Sequence, residues 1–201
     1  MEAATRPKIG ITASDLACRR GDRLLFTRLS LAIAPGGAVQ VTGPNGAGKS
    51  SLIRILAGLL RPWSGTVERS GAMALLDERP ALDEHLPLAR ALGFWQRLDG
   101  GAAEIAQLGA GELGLDELAD VPVAYLSTGQ RKRAALARLI GQAAPIWLLD
   151  EPLNGLDTAA AALVETIIAR HCAGGGIAVV ASHQPIALPG GRALALAEFA
   201  G

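Results

Sequence analysis

Aromatic side chains are scarce in this chain: three Trp, three Phe and one Tyr among 201 residues. A core built without them must rely on Ala, Leu, Ile and Val, and apolar residues make up 50% of the composition. Cysteine is nearly absent as well. Cys18 and Cys172 stand far apart and form neither a C-x-x-C pair nor a metal-ligand spacing. That excludes a disulfide framework and predicts unpaired, buried thiols in a reducing compartment. An excess of either charge is missing too, since 19 Lys plus Arg balance 19 Asp plus Glu. A nucleic-acid binder usually carries a basic excess or stripe, so no nucleic-acid partner is expected.

Long apolar runs are also lacking. None approaches the ~18 residues needed to cross a bilayer, and the first eight residues lack the apolar stretch of a secretory signal. The chain is expected to be soluble, with any membrane function supplied by a partner. It shows no internal repeat and no low-complexity linker.

Along the chain, Ile9–Ala17 and Leu24–Ile33 alternate as strands around the turn Arg19-Arg20-Gly21-Asp22. Ala38–Thr42 is a third strand, followed by a helix over Lys49–Leu60 that Arg61-Pro62 stops. Trp63–Val67 turns into another strand. From Asp83 to Ala119 the pattern is helical, with glycine turns expected at Gly100-Gly101 and Gly109–Gly111. A helix over Gly129–Gly141, a strand over Ile146–Asp150, a helix near Thr158–His171 and a strand over Ile177–Ser182 complete the series. Strand and helix in alternation argue for an α/β fold with a mostly parallel sheet. An antiparallel β section precedes it, and a helical insertion over about 83–141 packs beside it. The length suits one domain spanning 1–201.

Two strings carry chemistry. Gly43-Pro44-Asn45-Gly46-Ala47-Gly48-Lys49-Ser50 has the G-x-x-x-x-G-K-S spacing between a strand and a helix, with Ser51 directly behind it. Glycines let backbone N–H groups wrap phosphates, and the helix presents its positive end to them. Lys49 is expected to reach the β- and γ-phosphates of ATP, and the Ser50 hydroxyl to ligate Mg²⁺. At the end of the apolar strand Ile146-Trp-Leu-Leu149, Asp150 suits the Mg²⁺ shell and Glu151 the polarising of a water. Upstream of that strand, Leu126-Ser127-Thr128-Gly129-Gln130 opens a basic helix. Ser127 there is either an ordinary N-cap or part of an anion site.

In this order the motifs resemble the nucleotide-binding domain of ATP-binding cassette (ABC) transporters, from about Ile11 to Gln184. The resemblance implies a P-loop NTPase fold and an ATPase activity with Lys49, Glu151 and His183 as its catalytic residues. It further implies a homodimer that sandwiches ATP, in which Ser127, Gly129 and Gln130 meet the nucleotide held by the opposite subunit. Asp157, in Asn154-Gly-Leu-Asp157, would couple the two sites, and His183 would contact the γ-phosphate of its own subunit.

A narrower likeness lies in Val39–Lys49, Leu136-Ala-Arg-Leu139 and Gly175–Pro185, with Arg23-Leu-Leu-Phe26 and the short length. These are similar to the ATPase subunits of haem exporters in cytochrome c maturation. That likeness implies a subunit peripheral on the cytoplasmic face of a bacterial inner membrane, with integral membrane transporter subunits as partners. ATPase subunits of other ABC transporters, or a soluble ABC ATPase, are the alternatives. The latter commonly carry tandem cassettes, zinc insertions or basic extensions, none of which occurs in this sequence.

Three positions depart from the family pattern. Thr128 stands where the signature usually has Gly, which a common φ tolerates. Arg79-Pro80 occupies the expected place of a Gln near the end of the strand after Ala72. No aromatic is found where adenine is normally stacked; Arg19 or Arg20 can stack as a planar cation or remain a solvated turn charge. Within Leu88–Leu98, the apolar Leu92, Phe94, Trp95 and Leu98 are read as core, and Asp77–His85 as the better docking loop for a membrane partner.

Overall fold

The computed structural model describes residues 9–77, 81–100 and 103–201. The strands β1 (Gly10–Arg20) and β2 (Arg23–Ile33) form a long hairpin whose last pair is Arg20 opposite Arg23. Only Gly21 and Asp22 lie between them, and Gly21 takes φ +59°, the left-handed backbone a two-residue turn needs. β3 (Ala38–Thr42) leads into α1 (Lys49–Leu56), then come β4 (Ser64–Ser70) and β5 (Met73–Leu76). The helical section holds α2 (Leu88–Asp99), α3 (Ala103–Glu112) and α4 (Thr128–Gly141). β6 (Ile146–Asp150), α5 (Thr158–Ala173), β7 (Ile177–Ala181) and β8 (Arg192–Ala195) follow.

Two sheets result. β2, β1 and β4 pair antiparallel in that order, while β5-β6-β7-β3-β8 is parallel. The antiparallel section is therefore not wholly N-terminal: β4, which comes after α1, completes it. In β6 every residue is buried, and the pleat sorts them by face. Ile146 and Leu148 join the core shared with α1 and the antiparallel sheet, whereas Trp147 and Leu149 join the core under α4 and α5. β7 divides the same way, Val179 to one side and Val180 to the other. The Trp147 indole stacks on His171 of α5 at 3.8 Å between ring centroids. Burial holds the His171 imidazole below its ordinary pKa and raises the thiols of Cys18 and Cys172, both free and buried.

Two expected elements differ. The first helix ends at Leu56 rather than Leu60, because Gly58 takes φ +78° and the N–H groups of Leu59 and Leu60 turn back to Arg54 O. The expected turn at Gly109–Gly111 is instead helical, inside α3. A Cβ on Gly109 would lie 3.0 Å from Ile140 of α4, and one on Gly141 would lie 3.0 Å from Ala106. Glycine there allows two helices to approach closely. The turn expected at Gly100-Gly101 falls partly outside the described residues. The reading of Leu88–Leu98 as core holds in part: Leu92 and Trp95 pack on it, whereas Phe94 and Leu98 are exposed.

Candidate functional site

β3 delivers the chain to the loop Gly43–Gly48, and α1 begins at Lys49 without any side-chain cap. Its first-turn N–H groups are thereby left for an anion. Gly48 takes φ +106°, and a Cβ there would press on Leu25 and Phe26 at 3.2–3.3 Å. Glycine is required on both counts. The Lys49 ammonium is buried, donates to Gly43 O at 2.9 Å, and stands 3.8 Å from Glu151 Oε1. The other Glu151 oxygen lies 2.9 Å from His183 Nδ1. One carboxylate is thus bracketed by the loop lysine and by the histidine after β7.

Asp150 is 3% exposed and ends β6 beside the loop. Burial raises its carboxyl pKa; a hydrogen bond from Ser50 opposes the rise, and nearby Asp77 and Glu151 add to it. Its Oδ1 has no hydrogen-bond partner. An orphaned, buried carboxylate oxygen next to a hydroxyl is a hard-oxygen pair of the kind Mg²⁺ takes alongside phosphate and water. Among the described residues no group of three or more His, Cys, Asp and Glu is placed to hold a metal. Ser50 and Asp150 would therefore supply the protein's share, with nucleotide oxygens and water completing the shell.

These groups border a cavity of about 610 Å³. Beyond the loop its wall is the tip of the hairpin, Arg20, Arg23 and Leu25, with Asn154 at another edge. Arg19 is elsewhere: it pairs with Asp22 at 2.9 Å and lies 4.9 Å over the Trp63 ring. Of the two arginines considered for a base, only Arg20 faces this cavity. From the sequence, Arg23 and Leu25 stand out only within the Arg23–Phe26 string that carries the resemblance, not as residues of the site. The two-residue turn sets Arg20 against Arg23, which is readable from the sequence; Leu25 falls at a register shift between the Arg19–Leu24 and Cys18–Phe26 pairs, which is not.

Ser127, Gly129, Gln130 and Asp157 do not line this cavity. Ser127 caps α4: its Oγ accepts from Gln130 N at 3.2 Å while its own N–H donates to Gln130 Oε1 at 2.8 Å. Asp157 caps α5 by accepting from Ala160 N at 2.8 Å. Thr128 is helical, and its methyl would lie 3.0 Å from a Cβ on Gly155. The cations that follow each reach a backbone carbonyl: Arg131 that of Ala124, Lys132 that of Glu151 and Arg133 that of Leu113. The Arg79-Pro80 position lies outside the described residues, as does part of the Asp77–His85 loop.

The sequence matches the profile of the ABC transporter family over residues 26–154. It is 60% identical to the cytochrome c biogenesis ATP-binding export protein CcmA of Novosphingobium aromaticivorans, covering 94% of this chain and 97% of that one. The protein of the same name from Zymomonas mobilis is 50% identical, over 94% of this chain and 85% of its own. Among solved structures, an ABC transporter ATP-binding protein from Pyrococcus furiosus superposes with a TM-score of 0.84 at 21% identity, over 96% of this chain and 100% of that one. The cassette MJ0796, as a dimer in a post-hydrolysis state with ADP and phosphate, gives 0.77 at 20% identity over 87% and 88%. At those identities the likeness shows the fold, that of a P-loop NTPase.

Proposed function

Because this chain belongs to the ABC transporter family and is an ATPase of that class, we propose that it drives a bacterial export complex handling haem for c-type cytochromes. The reading is supported by its likeness to proteins named for cytochrome c biogenesis and export; haem as the cargo is what the resemblance carried by Val39–Lys49, Leu136–Leu139, Gly175–Pro185 and Arg23–Phe26 implies. In it, residues 1–201 are one ATP-binding domain with a helical part over 83–141. The chain sits at the cytoplasmic face of the inner membrane, carried by integral partners. Among the described residues no helix is long and apolar enough to cross a membrane.

The observation that carries the chemistry is the convergence of Lys49, Asp150, Glu151 and His183 on one cavity that Ser127 does not enter. ATP lies with its β- and γ-phosphates on the Gly43–Ser50 loop and its base toward Arg20 and Leu25. Ser50 and Asp150 would hold Mg²⁺, which supplies positive charge against the phosphate oxygens. Glu151 accepts a hydrogen bond from the attacking water and aligns it with the γ-phosphorus. The water oxygen bonds to that phosphorus as the bond to the β-bridging oxygen breaks. Lys49 and His183 stabilise the spreading charge. A second copy closes over the nucleotide and brings its Ser127, Gly129 and Gln130 to the γ-phosphate, with Asp157 linking the two sites. Hydrolysis reopens the pair and shifts the membrane partner between states.

Glu151→Gln is expected to slow hydrolysis about 10²–10⁴-fold with ATP affinity retained, whereas Lys49→Ala weakens binding itself. In cells lacking their own copy, the native chain restores haem-stained c-type cytochromes and Glu151→Gln does not. Full turnover by the Gln variant rejects the catalytic reading. Normal cytochromes without the chain reject the export role.

A further inference from the structure

Lys132 lies near the start of α4 on its buried face, in line with Ala135, Leu136 and Leu139. At 7% exposure it is one of four buried polar or charged residues among those described. Moving an ammonium out of water is costly unless charge and hydrogen bonds repay it. Its Nζ donates to the backbone oxygen of Glu151 at 3.1 Å.

The recipient is unusual. Glu151 takes φ +49°, a left-handed backbone that costs a residue with a Cβ roughly 1–2 kcal/mol. Such strain persists where its surroundings hold it. Both sides of the residue are held: its N–H donates to Ala181 O of β7 at 2.8 Å, and its carbonyl accepts from Lys132 and from Asn154 N at 3.3 Å. Relaxing that φ would swing the carboxylate away from Lys49 and His183. Meanwhile α4 meets the far end of the same loop, where a Cβ on Gly129 would lie 2.8 Å from Gly155 O. The helix that begins at Ser127 therefore grips the loop after β6 at both ends.

We propose that Lys132 is a positioning residue for Glu151. Through the Glu151 carbonyl it keeps the carboxylate's backbone left-handed, and it ties that geometry to the position of α4. Lys132 does not line the cavity, so it acts through the peptide. The proposal rests on Glu151 being the residue that aligns the water.

Lys132→Met keeps length and burial while removing charge and donor. With the full chain, kcat is expected to fall about 10–100-fold, the scale of a mis-set catalytic group. KM and the affinity for a fluorescent ATP analogue stay within about threefold. The melting temperature holds, because Asn154 N–H still satisfies the Glu151 carbonyl. Lys132→Arg, which retains a charged donor, recovers most of the rate. In a Glu151→Gln background, Lys132→Met adds no further loss.

Melting temperature and affinity falling together with kcat in both variants, or failure of both to fold, would show a role in the fold and overturn the proposal. A separate, additive loss in the Glu151→Gln background overturns it as well. Native turnover by Lys132→Met beside an inactive Glu151→Gln removes the proposal and leaves the Glu151 reading intact. Native turnover by Glu151→Gln removes that reading first.

Discussion

At the scale of single residues, the Asp150 carboxylate links pH to stability and, in the proposed site, to the metal. Burial raises its pKa above the ordinary 3.8, so the folded chain binds its proton more readily than the unfolded chain does. Stability therefore falls as pH rises from the unfolded value through the raised folded one, and above that the cost is constant. Asp150→Asn removes the charge and keeps the shape. Without metal, the variant is expected to melt at a higher temperature than the native chain at neutral pH. The difference vanishes below about pH 4. The same variant loses the extra stabilisation that Mg²⁺ adds to ATP, which calorimetry with and without the metal reads directly. A native-like Mg²⁺ effect in Asp150→Asn would remove Asp150 from the metal shell. Position and type of Asp150 were legible in the sequence, because an apolar strand ending in two acids marks the C-terminal end of a buried strand. Its orphaned oxygen was not, since that depends on which side chains surround it.

At the scale of elements, α3 and α4 show how packing overrides a local rule. Glycine is a poor helix former, so Gly109 and Gly111 within a short span read as a turn. The helix persists because Gly109 lets it lie against Ile140. The two glycines are therefore expected to respond oppositely. Gly109→Val forces a branched side chain into Ile140 and costs about 1–3 kcal/mol. Gly111 is exposed, with Asp116 at 3.4 Å from a Cβ, and Gly111→Ala gains about 0.5–1 kcal/mol. Chemical denaturation of the two variants checks both signs; equal effects would mean that α3 does not pack on α4 as described. The long strands and α5 were readable to within a few residues, because period two and period 3.6 are written along the chain. β8 was not, since its four residues alternate only weakly and gain their place by pairing with β3.

At the scale of the whole molecule, the groups that bind phosphate in the proposed site fall on two surfaces of one chain. The cavity holds Lys49 and Glu151, and Ser127 stands outside it at the tip of α4. A composite site predicts complementation between two inactive variants. Lys49→Ala spoils one half of the site and Ser127→Arg the other. A mixed pair nevertheless contains one site built from the two undamaged halves. Equal mixing is expected to recover about a quarter of native ATPase activity, since about half of symmetric pairs are mixed and each holds one good site of two. Activity that stays at zero on mixing would mean that each chain works alone.

What the sequence determined by itself is the order of the parts and the chemistry they carry: a phosphate loop between strand and helix, an acidic strand end, a capped basic helix. These are properties of spacing and of backbone preference, and both are local. Only the tertiary structure decided that Arg20 rather than Arg19 faces the cavity, because a turn aspartate and Trp63 engage the latter. It likewise decided that Lys132, one of three consecutive cations, turns inward to the strained Glu151. Apart from the neighbouring Asp22, the partners that make those choices, Trp63 and Glu151, lie far away along the chain. The worth of a charge depends on what surrounds it, and a spacing rule does not record the surroundings.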